Sequence, residues 1–298
     1  MDRRHASLVV VLILAWTVAA HAVALRYKFS PGETLQYQTK LGGQGTITAM
    51  GRTDPVTMSG WLVHQQSVRS VDRAGRATLV VSVPRSSLQA TWAGQALPAN
   101  VSIPPMTLVV TPTGQIVSSQ VQQAAGGADA GQLGQLLGGA GGLGALGADP
   151  TGFDFGKFMA SVENLGFPAG DVQPGQSWTD QTVVNSPNGQ QITIKSSSRL
   201  AGFSSYAGRQ CAQITTTYSL PLTLSLPFLA DMVQMTGSQT GNNQTFFDLA
   251  AGHPLHSQGT VVSRMTLRAP DLGNGQATEV SIRANLNVQT DLMSRPVQ

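Results

Sequence analysis

The chain holds one cysteine, Cys211, in 298 residues. That excludes a framework of disulfides, which needs pairs. Stability must therefore come from a buried core, and a chain of this length can build one or two. Charge is scarce as well: 11% of residues are charged, with 18 basic against 15 acidic and a net charge of +3. Aromatics make up 6%, and the basic residues do not cluster with them, which excludes a nucleic-acid surface. Ser, Thr and Gln fill the polar positions, a composition suited to β-strands exposed outside a cytoplasm. Beyond the N-terminus no run reaches the ~18 apolar residues of a membrane span, so no transmembrane span is expected after signal cleavage.

What is present begins with a targeting segment. Arg3 and Arg4 precede a mostly apolar run from Ala6 to Ala20, and Ala20-His21-Ala22 is an A-x-A cleavage signal, with Ala22-Val23-Ala24 as a second. Residues 1–22 read as a signal peptide, and the expected location is periplasmic or extracellular. No cysteine follows the apolar run, so a lipid anchor is not expected. The other distinctive stretch is Ala124 to Asp149, built from Gly, Ala, Leu and Gln with Asp129 and Asp149 as its only charges. It divides an N-terminal β half (residues 23–123) from a helix (151–169) and a C-terminal β half (170–298), the connection itself being residues 124–150. The helix rests on Phe155, Phe158, Met159, Val162 and Leu165, which recur at three and four. Thr151 or Asp154 would cap it, and Gly166 with Pro168 would end it. A second short helix is expected from Phe228 to Met235.

Elsewhere the apolar period is two. Leu25 to Ser30 alternates strictly and reads as a half-buried strand. Thr34 to Leu41, Gly45 to Met50, Met58 to Val71 and Thr78 to Val83 follow. Met106 to Val110 and Gln115 to Val121 form a hairpin around Thr113-Gly114. In the second half Gln191 to Leu200 pairs with Gln210 to Leu220 around Ala207-Gly208, and Gln244 to Leu249 pairs with Leu255 to Arg268 around Ala251-Gly252. Glu279 to Thr290 is the cleanest strand, with Val280, Ile282, Ala284, Leu286 and Val288 on one face. A wet face alternating with a dry one is the antiparallel pattern. The expected fold is mainly β: an antiparallel curved sheet or half-barrel from two similar halves, with a short helical and Gly-rich middle.

Three landmarks recur in the same order in both halves. Ser30-Pro31-Gly32-Glu33 corresponds to Gln173-Pro174-Gly175-Gln176, Ala74-Gly75-Arg76 to Ala207-Gly208-Arg209, and the hairpin tip ending at Gly114 to the one ending at Gly252. Their common order implies an internal duplication. Phe167-Pro168, then Val172-Gln173-Pro174-Gly175-Gln176-Ser177-Trp178, then Phe247-Asp248 and Gly252 resemble the layout of a group of exported bacterial proteins of unknown function. The layout is similar to the lipoprotein-carrier folds of bacterial envelopes. That resemblance implies a curved antiparallel sheet holding an apolar groove beneath helices, and it carries no catalytic residues. The chain departs from it in the Gly-rich insert and in lacking a lipidation cysteine.

The candidate chemistry is thin. His253 and His256 are three apart on a strand, which points them to opposite sides, and they read as surface residues of a hairpin. His64 shares its parity with Leu62 and Val68 and reads as a partly buried core histidine. Cys211 lacks a neighbouring histidine and reads as inert. Gly139 to Gly144 spells G-x-G-x-x-G, but glycine-rich sequence precedes it where a strand is required. Gly202 to Tyr206 lacks the last glycine of a nucleophile elbow. No catalytic, cofactor or metal site is assigned. The leading expectation is a non-enzymatic envelope protein binding a lipid or other hydrophobic ligand. Its apolar contacts would come from Phe155, Phe158, Met159, Leu226, Phe228, Met232 and Met235. The alternative is a structural module docking an envelope protein partner, and a hydrolase ranks below both.

Overall fold

The computed structural model describes residues 22–49, 51–97, 105–121, 165–185, 191–226, 233–269 and 278–293. These form one antiparallel sheet of twelve strands. The first half contributes β1 (Thr34–Ala49), β2 (Arg52–Val71), β3 (Ala77–Trp92), β4 (Gln95–Leu97), β5 (Met106–Val110) and β6 (Ile116–Val121). The second contributes β7 (Ser177–Asn185), β8 (Gln191–Tyr206), β9 (Arg209–Leu226), β10 (Val233–Asp248), β11 (His253–Ala269) and β12 (Thr278–Leu292). The order across the sheet is β6-β5-β3-β2-β1-β12-β11-β10-β9-β8-β7, with β4 paired to β3. Each half is a meander. The two join in the middle, where β1 and β12 pair from Tyr37↔Leu292 to Ala49↔Val280.

The strands run longer than their apolar periods. β1 is continuous through Gly42 and Gly43, where two separate strands were expected, because β2 and β12 both pair with the whole segment. Pro84 lies inside β3 rather than in a connection. It stands opposite a bulge of β2 between Val63 and Gln65, on a stretch of β3 whose other edge has no strand partner among the described residues, so its missing N–H breaks no ladder. Val233 to Met235 are strand, not helix, since they pair with Leu224 to Leu226 of β9. Ladder pairing decides the conformation there. Among the described residues there is no helix. The expected helix, except for its end from Leu165 to Ala169, and the Gly-rich connection lie outside them, as do Phe228 to Met232 of the second helix. Leu165 to Ala169 are not helical.

The segment Val23 to Ser30 is extended and alternates in burial as expected, with Leu25 and Tyr27 buried, but it belongs to no strand of the sheet. It crosses one end of the sheet as a strap. A second strap, Leu165 to Gln176, lies beside it, and Val23 and Val172 exchange both backbone hydrogen bonds at 2.9 Å. The straps tie the hairpin tips together. The Tyr27 N–H donates to Pro112 O (2.8 Å), Phe167 N–H to Thr113 O (2.7 Å) and Lys28 N–H to Gly252 O (3.2 Å).

The core sits under these straps. One cluster gathers Leu25, Tyr27, Leu165, Phe167 and Val172 against Leu200, Ala212, Ile214 and Phe247 of the second half. The other gathers Val68, Leu79, Val81, Met106, Leu108 and Val110 of the first half. Phe29 packs on both. The Tyr27, Phe167 and Phe247 rings lie 4.9 to 5.5 Å apart, with Phe247 edge-on to the other two.

The two halves share local geometry. In each Pro-Gly turn the glycine takes a left-handed φ, 82° at Gly32 and 88° at Gly175. The turn is closed by a 3.0 Å bond, Glu33 N–H to Ser30 O and Gln176 N–H to Gln173 O. This is the type II turn that Pro-Gly favours. Gly32 then donates to Val68 O (2.9 Å) and Gly175 to Leu200 O (2.7 Å). A bulge follows each acceptor, between Val68 and Ser70 and between Leu200 and Gly202. A second pair of bulges lies at Val109/Val110 and Phe246/Phe247. Bulges increase the local twist and bend the strand, and they stand in the same places of both halves.

Candidate functional site

The sheet curls. Leu79 on β3 and Tyr218 on β9 line the same cavity although β2, β1, β12, β11 and β10 lie between them in the sheet. The concave face therefore encloses a space, of ≈ 310 Å³. Its floor is Tyr27, Phe29 and Leu165 of the straps and its walls include Leu35, Leu41, Leu62, Leu79, Val261, Leu286 and Val288. These aliphatic positions are the inward-facing residues of alternating strands, which is why the same period that made the strands legible also places them together.

Across this apolar wall runs a belt of hydrogen-bonding side chains. Thr39, Thr290, Ser257 and Thr245 are cross-strand neighbours on β1, β12, β11 and β10 in turn. Thr39 Oγ1 and Thr290 Oγ1 lie 2.9 Å apart, and Thr245 Oγ1 and Ser257 Oγ 3.2 Å. Ser257 Oγ donates to Asn243 Oδ1 at 2.8 Å, and the belt continues on β9 and β8 through Thr216 and Ser198, 2.9 Å apart. Thr39, Thr245 and Ser198 are buried. Buried hydroxyls persist because they bond one another. Next to the belt the Tyr218 ring lies across from Gly241, where a Cβ would stand 2.3 Å from its Cε1. Its hydroxyl is buried and has no hydrogen-bond partner among the described residues. Burial pushes the Tyr218 phenol up to about 12, so it stays a protonated donor. His64 faces the cavity on β2, buried and stacked 5.0 Å from its cross-strand neighbour Tyr37.

The convex face differs. A shallow hollow over its centre is lined by Lys40, Thr215, Thr217, Gln244, Gln258, Thr260, Asn287 and Gln289. A lipid-embedded barrel presents an apolar band outward; this hollow presents amides and hydroxyls. No described helix is long and apolar enough to cross a membrane.

His253 and His256 are both buried, which corrects their reading as surface residues. On His256 the ring of Tyr206 stacks at 5.1 Å, Phe246 lies at 5.9 Å, and Nδ1 sits 2.6 Å from Asp291 Oδ1. Tyr206 comes from β8, too far along the chain for the spacing around His256 to reveal. Cys211 is fully buried, and burial pushes its thiol up, away from the thiolate form. No group of three His, Cys, Asp or Glu side chains that could hold a metal stands among the described residues.

Of the expected ligand contacts, Phe155, Phe158, Met159, Phe228 and Met232 lie outside the described residues, as does Gly139 to Gly144. Leu226 ends β9, and its side chain is likewise not described. Met235 is buried on β10, and it does not line the cavity. Leu165, His64, His253 and His256 apart, the residues that do were read as strand or turn positions and nothing more. One signal marks them. Thr290 continues the inward series Leu286, Val288, and Thr245 and Ser257 likewise hold inward positions, so hydroxyls recur where the period calls for apolar side chains.

No family model and no curated protein matches the chain. Among solved structures it is similar to lipovitellin in a study of its lipid–protein interactions, at 11% identity and a TM-score of 0.43, over 91% of this chain and 26% of that one. It is also similar to DynF from the dynemicin biosynthesis pathway of Micromonospora chersina, at 11% identity and a TM-score of 0.20, over 90% of this chain and 85% of that one. A third is an outer membrane channel from Pseudomonas putida F1, at 9% identity and a TM-score of 0.20, over 89% of this chain and 97% of that one. The chain spans about a quarter of the lipovitellin chain, 26%. Likeness at these scores carries no argument about activity.

Proposed function

We propose that this is an exported, non-enzymatic protein of the cell envelope that holds an apolar or amphipathic molecule inside its curled sheet. The observation that carries the reading is the cavity of ≈ 310 Å³, walled by aliphatic side chains and crossed by a bonded hydroxyl belt. Ligand sites span about 300–1,000 Å³ and combine apolar walls with a few placed polar groups. The signal-like residues 1–22 and the uncharged polar strands support export. The repeated turns and bulges support descent of the two halves from one duplicated unit. Native mass spectrometry of protein purified from an exporting host tests the ligand reading. A co-purified small amphiphile is expected, and Val288→Phe, which fills the cavity, should abolish it. Ligand-free protein that also shows no thermal shift with any amphiphile would count against it.

A second reading, a module that docks an envelope protein, draws on β6 and β7, whose outer edges have no strand partner among the described residues. Ligand-free protein that captures one defined envelope partner would favour it.

A further inference from the structure

We infer that the cavity selects an uncharged amphiphile with one short chain, a neutral polar head seated on the hydroxyl belt and its chain against the aliphatic wall. The inference rests on the ligand-binding reading above and specifies it.

Charge comes first. The lining includes two fully charged side chains, Lys28 and Glu33, both at the strap end, and three imidazoles, His64, His253 and His256, of which His256 is already bonded to Asp291. Lys28 is exposed and its Nζ is held by Leu249 O and Ala250 O, at 3.1 and 3.0 Å. No arginine is among the described residues that line the cavity. A carboxylate, phosphate or ammonium head placed at the belt would be buried away from the Lys28 and Glu33 charges, a far larger penalty than burying a hydroxyl or ester that finds hydrogen bonds.

The belt supplies those bonds. Each threonine or serine hydroxyl offers one donor and two acceptors. The Thr39–Thr290 pair uses one donor and one acceptor on each other, which leaves both kinds of group for a ligand. Tyr218 adds a buried phenolic donor with no partner among the described residues. Such an arrangement fits a head that both donates and accepts, such as a glyceryl ester or an alcohol.

Size sets the chain. A dry cavity of about 150 Å³ holds a benzene, six carbons. At ≈ 310 Å³ the space takes about 12 non-hydrogen atoms on that scale. A single short chain with a glyceryl head fits, and a two-chain phospholipid does not.

The test compares 1-mono-hexanoylglycerol, hexanoate and hexyltrimethylammonium by titration calorimetry on the full chain below their micelle concentrations. The glyceride should bind, with each ion at least about tenfold weaker. The double variant Thr39→Val/Thr290→Val removes both members of a bonded pair, so it leaves no orphaned hydroxyl and should fold. It should lower glyceride affinity about tenfold and narrow the gap to the ions. Tyr218→Phe should act in the same direction. Hexanoate or the ammonium binding as tightly as the glyceride overturns the neutral-head inference and leaves the ligand-binding reading standing. Unchanged glyceride affinity in the double variant also overturns it. If none of the three probes binds, the ligand-binding reading itself fails.

Discussion

The Tyr27 hydroxyl is a single buried polar group whose removal has two separable consequences. Its ring lies within 5.2 to 5.8 Å of Phe29, Phe167 and Phe247. Its oxygen accepts a 2.9 Å bond from the Leu165 N–H, which anchors the second strap to the first. Tyr27→Phe keeps every ring contact and orphans that N–H. A buried unsatisfied donor costs about 1–3 kcal/mol, so stability at pH 7 should fall by about 2 kcal/mol. The second consequence is alkaline. Burial, the larger influence, holds the Tyr27 phenol well above its usual 10.0, against the opposing bond from Leu165. Above pH ~10 the unfolded chain loses this proton while the folded chain keeps it. The unfolded state then binds fewer protons, and stability falls by about 1.4 kcal/mol per pH unit for this group. Tyr27→Phe removes that slope. Tyr218 is raised too, but it is common to both proteins and cancels in the comparison. Urea unfolding at pH 7, 9, 10.5 and 11 is the assay. The wild type should lose its advantage over the variant as pH rises from 10 to 11. A variant as stable as wild type at pH 7, with a parallel alkaline limb, would refute both the anchoring bond and the buried phenol.

Three further outcomes follow from the geometry. Burial alone would raise the Asp248 carboxyl, but the Arg209 guanidinium at 2.8 Å and the N–H groups of Ala251 and Ala250 outweigh it and hold it below its usual value. Asp248→Ala should destabilise the protein by about 2 kcal/mol at pH 7. The acid limb should flatten, because stability supplied by a depressed carboxyl is present above pH ~4 and lost as pH falls below it; an unchanged acid titration would contradict this. Gly114→Ala should cost more than about 2 kcal/mol and Gly208→Ala about 1 kcal/mol in chemical denaturation. Both glycines have left-handed φ, but a Cβ at Gly114 would stand 2.2 Å from Leu165 O, whereas Gly208 has nothing within 4 Å. Equal losses would mean that the second strap does not press on that turn. Cys211 should resist iodoacetamide at pH 8 until the chain is unfolded in urea, and labelling of the native protein at the unfolded rate would show that its cover opens.

Much of the fold was legible because the chain alternates. Val280 to Val288 face one way as their period requires, and the turns at Gly75, Gly114, Gly208 and Gly252 stand where left-handed φ falls. Three things were not legible, each for a physical reason. Leu25 to Ser30 alternates like a strand, but alternation records only which side is buried, and here the burial comes from a strap crossing the sheet's end. Val233 to Met235 fall in a segment expected to be helical, yet the ladder with β9 decides their conformation. The cavity depends on curl: nothing local in β3 or β9 tells that Leu79 and Tyr218 share one space. The hydroxyls of the belt left a trace, as polar residues at inward positions, but a threonine suits any strand and the trace reads as propensity until the register is known.

The central seam sets a timetable for assembly. β1 leaves the ribosome before its partner β12, with ten strands between them, so for that interval one long side of β1 presents unpaired N–H and C=O groups. An open strand edge is a template for other chains, and pairings this distant in sequence form slowly. A chain cut short before Thr278 would keep two such edges permanently, on β1 and on β11. Guarding the early half until β12 emerges is therefore a task for the cell's chaperones, and aggregation of truncated chains is the sign that it has failed.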